Sequence, residues 1–333
     1  MSGTTPLPIL GLHHVTAIAS GPYQNDVFWT RVLGMRRVKK TVNFDDPGTY
    51  HLYFGDDRGR PGSLWTTFPH PHARPRSAGT PEVALTSLAV PVGSLERWSA
   101  RLEDAGVAAT RTATRFGDRL DFADPDGTTL ALTEAEAPSE YEPVGAHRGG
   151  AGEPIVADAP RCLESVTLRS SDPPATGRFL VEQFGFTPQD AASDAADSSG
   201  VWYACGDGAA SRRVCVLAGD ASLPILGAGA VHHVAFRVAG DDEQRATIDR
   251  LRGVGLRPTP VQDRTYFRSV YFRAPGGILF EVATDGPGFD SDEPVATLGQ
   301  ALKLPPDVEV HRARLEKSLI PLDGQAPEAG TDA

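Results

Sequence analysis

Two pairs of adjacent histidines and one isolated carboxylate stand among apolar residues: His13-His14 before Val15, His232-His233 before Val234, and Glu281 between Phe280 and Val282. Side chains alternate across a strand, so His14, Thr16 and Ile18 share one face while His13, Val15 and Ala17 share the other. In the later run His233, Ala235 and Arg237 share a face. His232, Val234, Phe236 and Val238 form the more apolar one, which is expected to pack against helices. Glu281 lies with Leu279 and Ala283, opposite Ile278, Phe280 and Val282. A carboxylate in so apolar a strand is costly to bury unless a cation meets it. Two imidazoles and one carboxylate facing the inside of a cup suit Fe(II) or Mn(II), with positions left open for substrate and oxygen.

Positioning these three residues requires bringing together segments more than two hundred residues apart. A block of strand, helix and further strands recurs four times, with a period near 70 residues. Its opening strands are read at 12–18, 85–92, 162–169 and 231–238. Helices follow near 25–33, 94–104, 174–184 and 243–253, closed by Gly34, Gly106, Gly185 and Gly253 or Gly255, as left-handed caps require. Later strands are read at 36–42, 50–54, 63–68, 119–122, 128–133, 201–205, 213–217, 269–273 and 277–284. The hairpins at 124–127 and 274–277 share a Pro- and Gly-containing turn. Each unit is a half-open sheet that needs a partner, so four units make two pairs. Aligned by strand pattern, Ser87 and Ser165 stand where the histidines stand, and Thr66 and Ala131 where Glu281 stands. The expectation is one asymmetric site, built from blocks one and four, and a second cup without metal.

The chain divides on sequence into an N-terminal domain over 9–140, a linker over 141–157, a C-terminal domain over 158–290 and a tail over 291–333. The linker region is rich in Gly, Pro, Ala and Glu. The stretch 189–200 reads as a mobile surface loop, 306–319 as a short helix using Val308, Leu315 and Leu319, and the residues from 325 as disordered. With 333 residues, 40% hydrophobic and 23% charged, the composition is that of a soluble globular protein. The net charge of −11 argues against a nucleic-acid surface. No apolar run reaches the length of a membrane span and no secretion signal is evident. Three cysteines without metal-knuckle spacing (Cys162, Cys205, Cys215) suggest apolar filler in a reducing cytoplasm.

Several segments together resemble one family: GLHHVT at 11–16, KTVNFDDP at 40–47, YHLYFGD at 50–56, DRTYF at 263–267 and PGGILFE at 275–281. With the four βαβββ modules, they are similar to the vicinal oxygen chelate superfamily and, within it, to the hydroquinone-type ring-cleaving dioxygenases. The resemblance implies an α+β fold of two open, cup-like mixed β-sheet barrels. It implies non-haem Fe(II), Mn(II) being possible, held by His14, His233 and Glu281. It also implies roles near the site for His13, Thr16, His232, Arg264 and Tyr271. Thr16 and Tyr271 share faces that reach a cup, and Arg264 can steady an anionic oxygen. Strict alternation points His13 and His232 away, so core histidines are an equal reading for them. His51 is a candidate pocket residue, whereas His70, His72, His147 and His311 read as surface residues. The partners implied are a small aromatic substrate and O2, with a homo-oligomer possible and neither nucleic acid nor membrane. A catechol-type extradiol dioxygenase, a glyoxalase-like lyase or isomerase, and a small-molecule-binding protein are the alternatives.

Overall fold

The fold is described from a computed structural model covering residues 9–141, 158–190 and 200–323. The linker over 142–157, most of the loop expected at 189–200 and the tail beyond 323 lie outside the described residues.

Sixteen strands form two eight-stranded mixed sheets. The first contains β1 (Gly11–Ala19), β2 (Arg36–Asn43), β3 (Asp46–Gly55), β4 (Leu64–Pro69), β13 (Val231–Val238), β14 (Gln262–Asp263), β15 (Arg268–Arg273) and β16 (Leu279–Thr284), in the order β14-β15-β16-β13-β1-β4-β3-β2. The second contains β5 (Glu82–Val90), β6 (Ala109–Thr114), β7 (Gly117–Ala123), β8 (Thr129–Glu134), β9 (Cys162–Ser170), β10 (Thr187–Pro188), β11 (Val201–Ala204) and β12 (Arg213–Ala218), in the order β10-β11-β12-β9-β5-β8-β7-β6. Hydrogen bonding therefore joins the first module to the fourth and the second to the third. The sheets therefore group the modules differently from the sequence-based division at 9–140 and 158–290.

β6, β10 and β14 were not among the expected strands. Ala109–Thr114 carries no large apolar residue and is largely exposed, and the other two are two-residue edge strands. Such elements owe their conformation to a neighbouring strand and leave no period to read.

In each module a helix crosses the convex side of its sheet. In α3 (Pro173–Phe184) two prolines occupy the first turn, Asp172 accepts a hydrogen bond from the Ala175 N–H, and Gly185 ends the helix at φ 73°. In α4 (Asp241–Gly253) Asp241, Asp242 and Glu243 face the positive end and Arg250 and Arg252 the negative end of the helix dipole. Phe179 and Phe184 of α3 pack on Phe236, Phe272 and Phe280 of the first sheet, with ring centroids 4.8–6.3 Å apart where Phe184, Phe236 and Phe280 meet. A helix from one module pair thus backs the sheet of the other, and one apolar core runs through both.

The tail returns to the first sheet. Lys39 on β2 is fully buried, and its ammonium donates to Asp292 at 2.6 Å and Glu293 at 2.5 Å. Phe289 and Leu298 close over Tyr53, Tyr266 and Phe267 on the concave side. The expected helix at 306–319 is two shorter ones, Pro306–Glu309 and Arg312–Ser318, with Val308, Leu315 and Leu319 buried as expected. No helix among the described residues is long and apolar enough to cross a membrane.

Candidate metal centre

β1 and β13 pair antiparallel at the middle of the first sheet, and this pairing brings the two histidine pairs together. Its register slips once on each strand. Leu12 opposes Phe236 and His14 opposes Ala235, leaving His13 as the extra residue; Thr16 opposes His233 and Ala17 opposes Val231, leaving His232 as the extra residue. A bulge breaks the strict alternation on which the expectation for these two residues rested. Both lie beside their neighbours instead of across the sheet from them.

His13 Nδ1 lies 2.9 Å from His14 Nδ1, and His232 Nδ1 lies 2.8 Å from His233 Nδ1. His13 Nε2 sits 3.2 Å from the Thr284 carbonyl, which can only accept, so this nitrogen carries the proton. Burial and then the adjacent His14 hold His13 well below the ordinary imidazole range, so it is neutral. A neutral ring protonated at Nε2 must accept at Nδ1. His14 therefore donates from Nδ1, the tautomer that leaves Nε2 of a neutral ring as the atom able to bind a metal in the cup. His232 is pushed down to about 3, chiefly by burial, and faces His233 in the same way.

Glu281 comes alongside because β16 runs parallel to β13, with Glu281 opposite Ala235. It is fully buried, and its Oε1 accepts a 2.5 Å hydrogen bond from Ser269. Its Oε2 lies 3.2 Å from His14 Nε2 and 2.9 Å from His233 Nε2, yet has no hydrogen-bond partner among the described residues. His14 and His233 Nε2 are themselves 3.2 Å apart. One ligand atom from each residue lies within 4.8 Å of the others. Burial alone would raise the Glu281 carboxyl, but the two imidazoles hold it well below its usual range. Burial likewise lowers His233 despite the carboxylate beside it. An ionised, orphaned oxygen between two imidazole nitrogens is a donor set that fits one divalent cation.

The second sheet provides an internal contrast. Its central pair β5 and β9 slips at Ala84 and Glu164. Matching the slips equates His14 with Leu85 and His233 with Ser165. Ser87 therefore corresponds to Thr16, one alternation further on than the pattern alignment placed it. Cys215, opposite Thr167, takes the place of Glu281. The buried carboxylate of that sheet, Glu164, is paired with Arg213 at 2.7 Å and accepts from Ser165 at 2.5 Å. Glu281 has imidazole nitrogens beside it where Glu164 has a guanidinium.

The remaining expected residues gather around the cup. Arg264 donates to the Tyr271 hydroxyl at 3.3 Å and to Asp45 at 3.0 Å, and the Tyr271 ring sits 5.5 Å from that of His233. Burial and then Glu281 push Tyr271 above the ordinary phenol range, so its hydroxyl stays protonated. Thr16 is fully buried and shares a 2.7 Å hydrogen bond with Thr66. His51 continues this chain, 2.9 Å from Thr66 and 2.8 Å from the Tyr53 hydroxyl. A narrow cavity above the three candidate ligands is lined by His51, Phe68, Arg264, Tyr271 and the β2–β3 turn from Asn43 to Asp45. Ser269 is not a candidate on sequence. The turn lies within the 40–47 segment that carries the resemblance, but nothing local says that it roofs a site.

Comparison with known proteins agrees with this arrangement. The family model described as "Glyoxalase/Bleomycin resistance protein/Dioxygenase superfamily" matches residues 11–132 and 163–282. MhqO of Bacillus subtilis (strain 168), whose name assigns it provisionally to the ring-cleaving dioxygenases, is 39% identical over 94% of this chain and 97% of that one. The chlorohydroquinone/hydroquinone 1,2-dioxygenase of Sphingobium indicum is 34% identical over 91% of this chain and 94% of that one. A crystal structure titled provisionally as a dioxygenase, from Bacillus subtilis subsp. subtilis str. 168, superposes with a TM-score of 0.87 at 36% identity. It covers 96% of this chain and 99% of its own.

Two outcomes are expected. Glu281→Gln removes the only carboxylate of the set, and His13→Ala removes the acceptor that fixes His14. Titration of the metal-free protein with Fe(II) under argon should show an affinity loss of about 10–100-fold for the second, and a larger one for the first. Undiminished affinity in both variants would remove these residues from the site. The second outcome concerns pH. His13, His51, His232 and His233 all have folded values below the unfolded 6.5, so below that pH the unfolded chain binds more protons and stability falls. Asp124, raised to about 6 chiefly by burial, offsets only one of them. Urea midpoints of the metal-free protein should therefore drop between pH 7 and pH 5; a flat or rising profile would contradict the buried, neutral histidines.

Proposed function

The chain belongs to the Glyoxalase/Bleomycin resistance protein/Dioxygenase superfamily and is a ring-cleaving dioxygenase, and from that premise we propose that it opens hydroquinone-type rings with O2 at an Fe(II) centre held by His14, His233 and Glu281. The observation that carries this reading is the Glu281 oxygen without a hydrogen-bond partner among the described residues, set between the nitrogens of His14 and His233, whose rings line one cavity with Arg264 and Tyr271. Two histidines and one carboxylate suit Fe(II) and leave open positions, with Mn(II) the other candidate. When bound, the metal supplies a Lewis acid for a phenolate oxygen and an electron path from the ring to O2.

The residues of the chain do the rest. His13 and His232 hold the two ligand imidazoles at Nδ1, and Ser269 holds Oε1 of the carboxylate, so Oε2 and the two Nε2 atoms are aimed before the metal arrives. Arg264 donates to the Tyr271 oxygen, which leaves the Tyr271 proton available to a second oxygen of the substrate. That pair would orient the ring by its far hydroxyl and meet charge that develops there. Phe68 and Phe267 exclude water from the cavity walls. Both atoms of O2 end in the product, so no external reductant is needed. A catechol-type substrate is the nearest alternative, because the same ligands would serve it.

Oxygen uptake by protein reconstituted with Fe(II) under argon tests the reading. Uptake should follow addition of hydroquinones and be weaker with catechols, and Tyr271→Phe should lower kcat/KM by about 10²–10³-fold while iron content is unchanged. No uptake with any diphenol, at a full equivalent of bound iron, would overturn it.

A further inference from the structure

The concave face of the first sheet does not end at the candidate metal centre. β1 and β4 run in parallel register with Thr16 beside Thr66 and Ile18 beside Phe68, and β3 lies antiparallel to β4 with Tyr53 beside Thr66. Side chains of one face recur every second residue. Rows therefore follow one another outward: Thr16, Thr66 and Tyr53, then Ile18, Phe68 and His51, then His70 and Thr49. The packing bears this out, with the Phe68 ring 4.4 Å from that of His51 and the Thr49 hydroxyl 3.4 Å from His70 Nδ1. Phe68 and His51 line the cavity over the candidate ligands. Ile18, Thr49 and His70 line a second and much larger space of about 790 Å³.

This groove lies further along the same strands and shares no lining residue with the inner cavity, which Phe68 and residues 43–45 of the β2–β3 turn line. Asp45 of the turn faces the inner cavity and Asp46 the groove. Apolar side chains make up part of its walls: Ile18, Pro69 of β4, Pro71 of the loop that follows, Leu226, and the tail residues Leu319 and Ile320. Leu226 is 53% exposed among the described residues. Polar side chains share the lining, His72 and Arg74 from that loop and Thr49, which is engaged with both Asp46 and His70. The groove begins two residues along the strands from the inner cavity, a distance of about 7 Å at the usual rise.

We propose that this groove receives an apolar substituent of the aromatic substrate, so that the preferred substrates are hydroquinones bearing an alkyl or comparably hydrophobic chain. The proposal rests on the ring-cleaving reading above and adds the substrate class to it. A chain of four or five carbons spans the distance past Phe68 and buries methylenes against Ile18, Leu226 and Leu319. The transfer of about two methylenes is sufficient for a tenfold gain.

The experiment compares unsubstituted hydroquinone with pentylhydroquinone on the full chain loaded with Fe(II), and measures binding of 4-pentylphenol calorimetrically to the same preparation under argon. Wild type should show a kcat/KM at least tenfold higher for pentylhydroquinone. Ala73→Trp, which fills the groove from its lining loop, and Leu226→Asp, which places a charge in it, should each abolish that preference. Both should weaken 4-pentylphenol binding about tenfold and leave turnover of unsubstituted hydroquinone within twofold. Equal kcat/KM for the two quinols in wild type, or 4-pentylphenol binding untouched by both variants, would overturn the groove assignment. Failure to turn over any quinol, with 4-pentylphenol binding still sensitive to the variants, would overturn the ring-cleaving reading and leave the groove standing.

Discussion

A single buried negative charge organises the first sheet. Glu281 lies at the middle of a strand whose neighbours are Phe280 and Val282, with no access to water. Such a charge is tolerated only where something positive repays its lost hydration. In the second sheet the comparable problem is solved within the chain, since Arg213 reaches Glu164. In the first sheet the groups within reach of the Glu281 Oε2 atom, among the described residues, are the imidazoles of His14 and His233. One ligand atom from each of the three lies within 4.8 Å of the others, a set that a divalent cation would complete.

That requirement explains why the sheets are built as they are. Two of the groups sit near the ends of a long chain, so the first module must join the fourth, and the second and third are left to each other. The pairing of β1 with β13 has to place four imidazoles on one side within hydrogen-bonding range, which a regular ladder forbids. One extra residue on each strand achieves it, at a cost of two broken ladder positions. The same slips occur between β5 and β9, where they serve no histidine. The bulges therefore belong to the architecture shared by both sheets, and the first sheet uses them for a site.

Much of this was legible before any coordinates. The recurring strand-helix-strand pattern with glycine stops marked four modules, because amphipathic periods survive in sequence wherever one face is buried. His14, His233 and Glu281 stood out because the pattern alignment set Ser87, Ser165, Thr66 and Ala131, none of them a usual metal ligand, at the matching positions of the other modules. What could not be read were features set by tertiary context. The bulges carry no glycine or other local signal, so alternation left His13 and His232 open between the site and the core. The same slip moved the counterpart of His14 from Ser87 to Leu85. β10 and β14 are too short to show a period, and Ala109–Thr114 is too polar. The roof of the cup, from Asn43 to Asp45, is assembled by an ion pair to Arg264 across 219 positions, and no local reading reveals it.

The account stands on one ion at one place. Crystals of the full chain, grown under argon with Fe(II) and measured on both sides of the iron absorption edge, test it most directly. The account predicts one anomalous peak per chain, within about 2.0–2.2 Å of His14 Nε2, His233 Nε2 and a Glu281 oxygen, with nothing comparable near Leu85, Ser165 and Cys215. A chain that binds iron in solution yet shows no peak between those three residues, or shows its peak elsewhere, would contradict it.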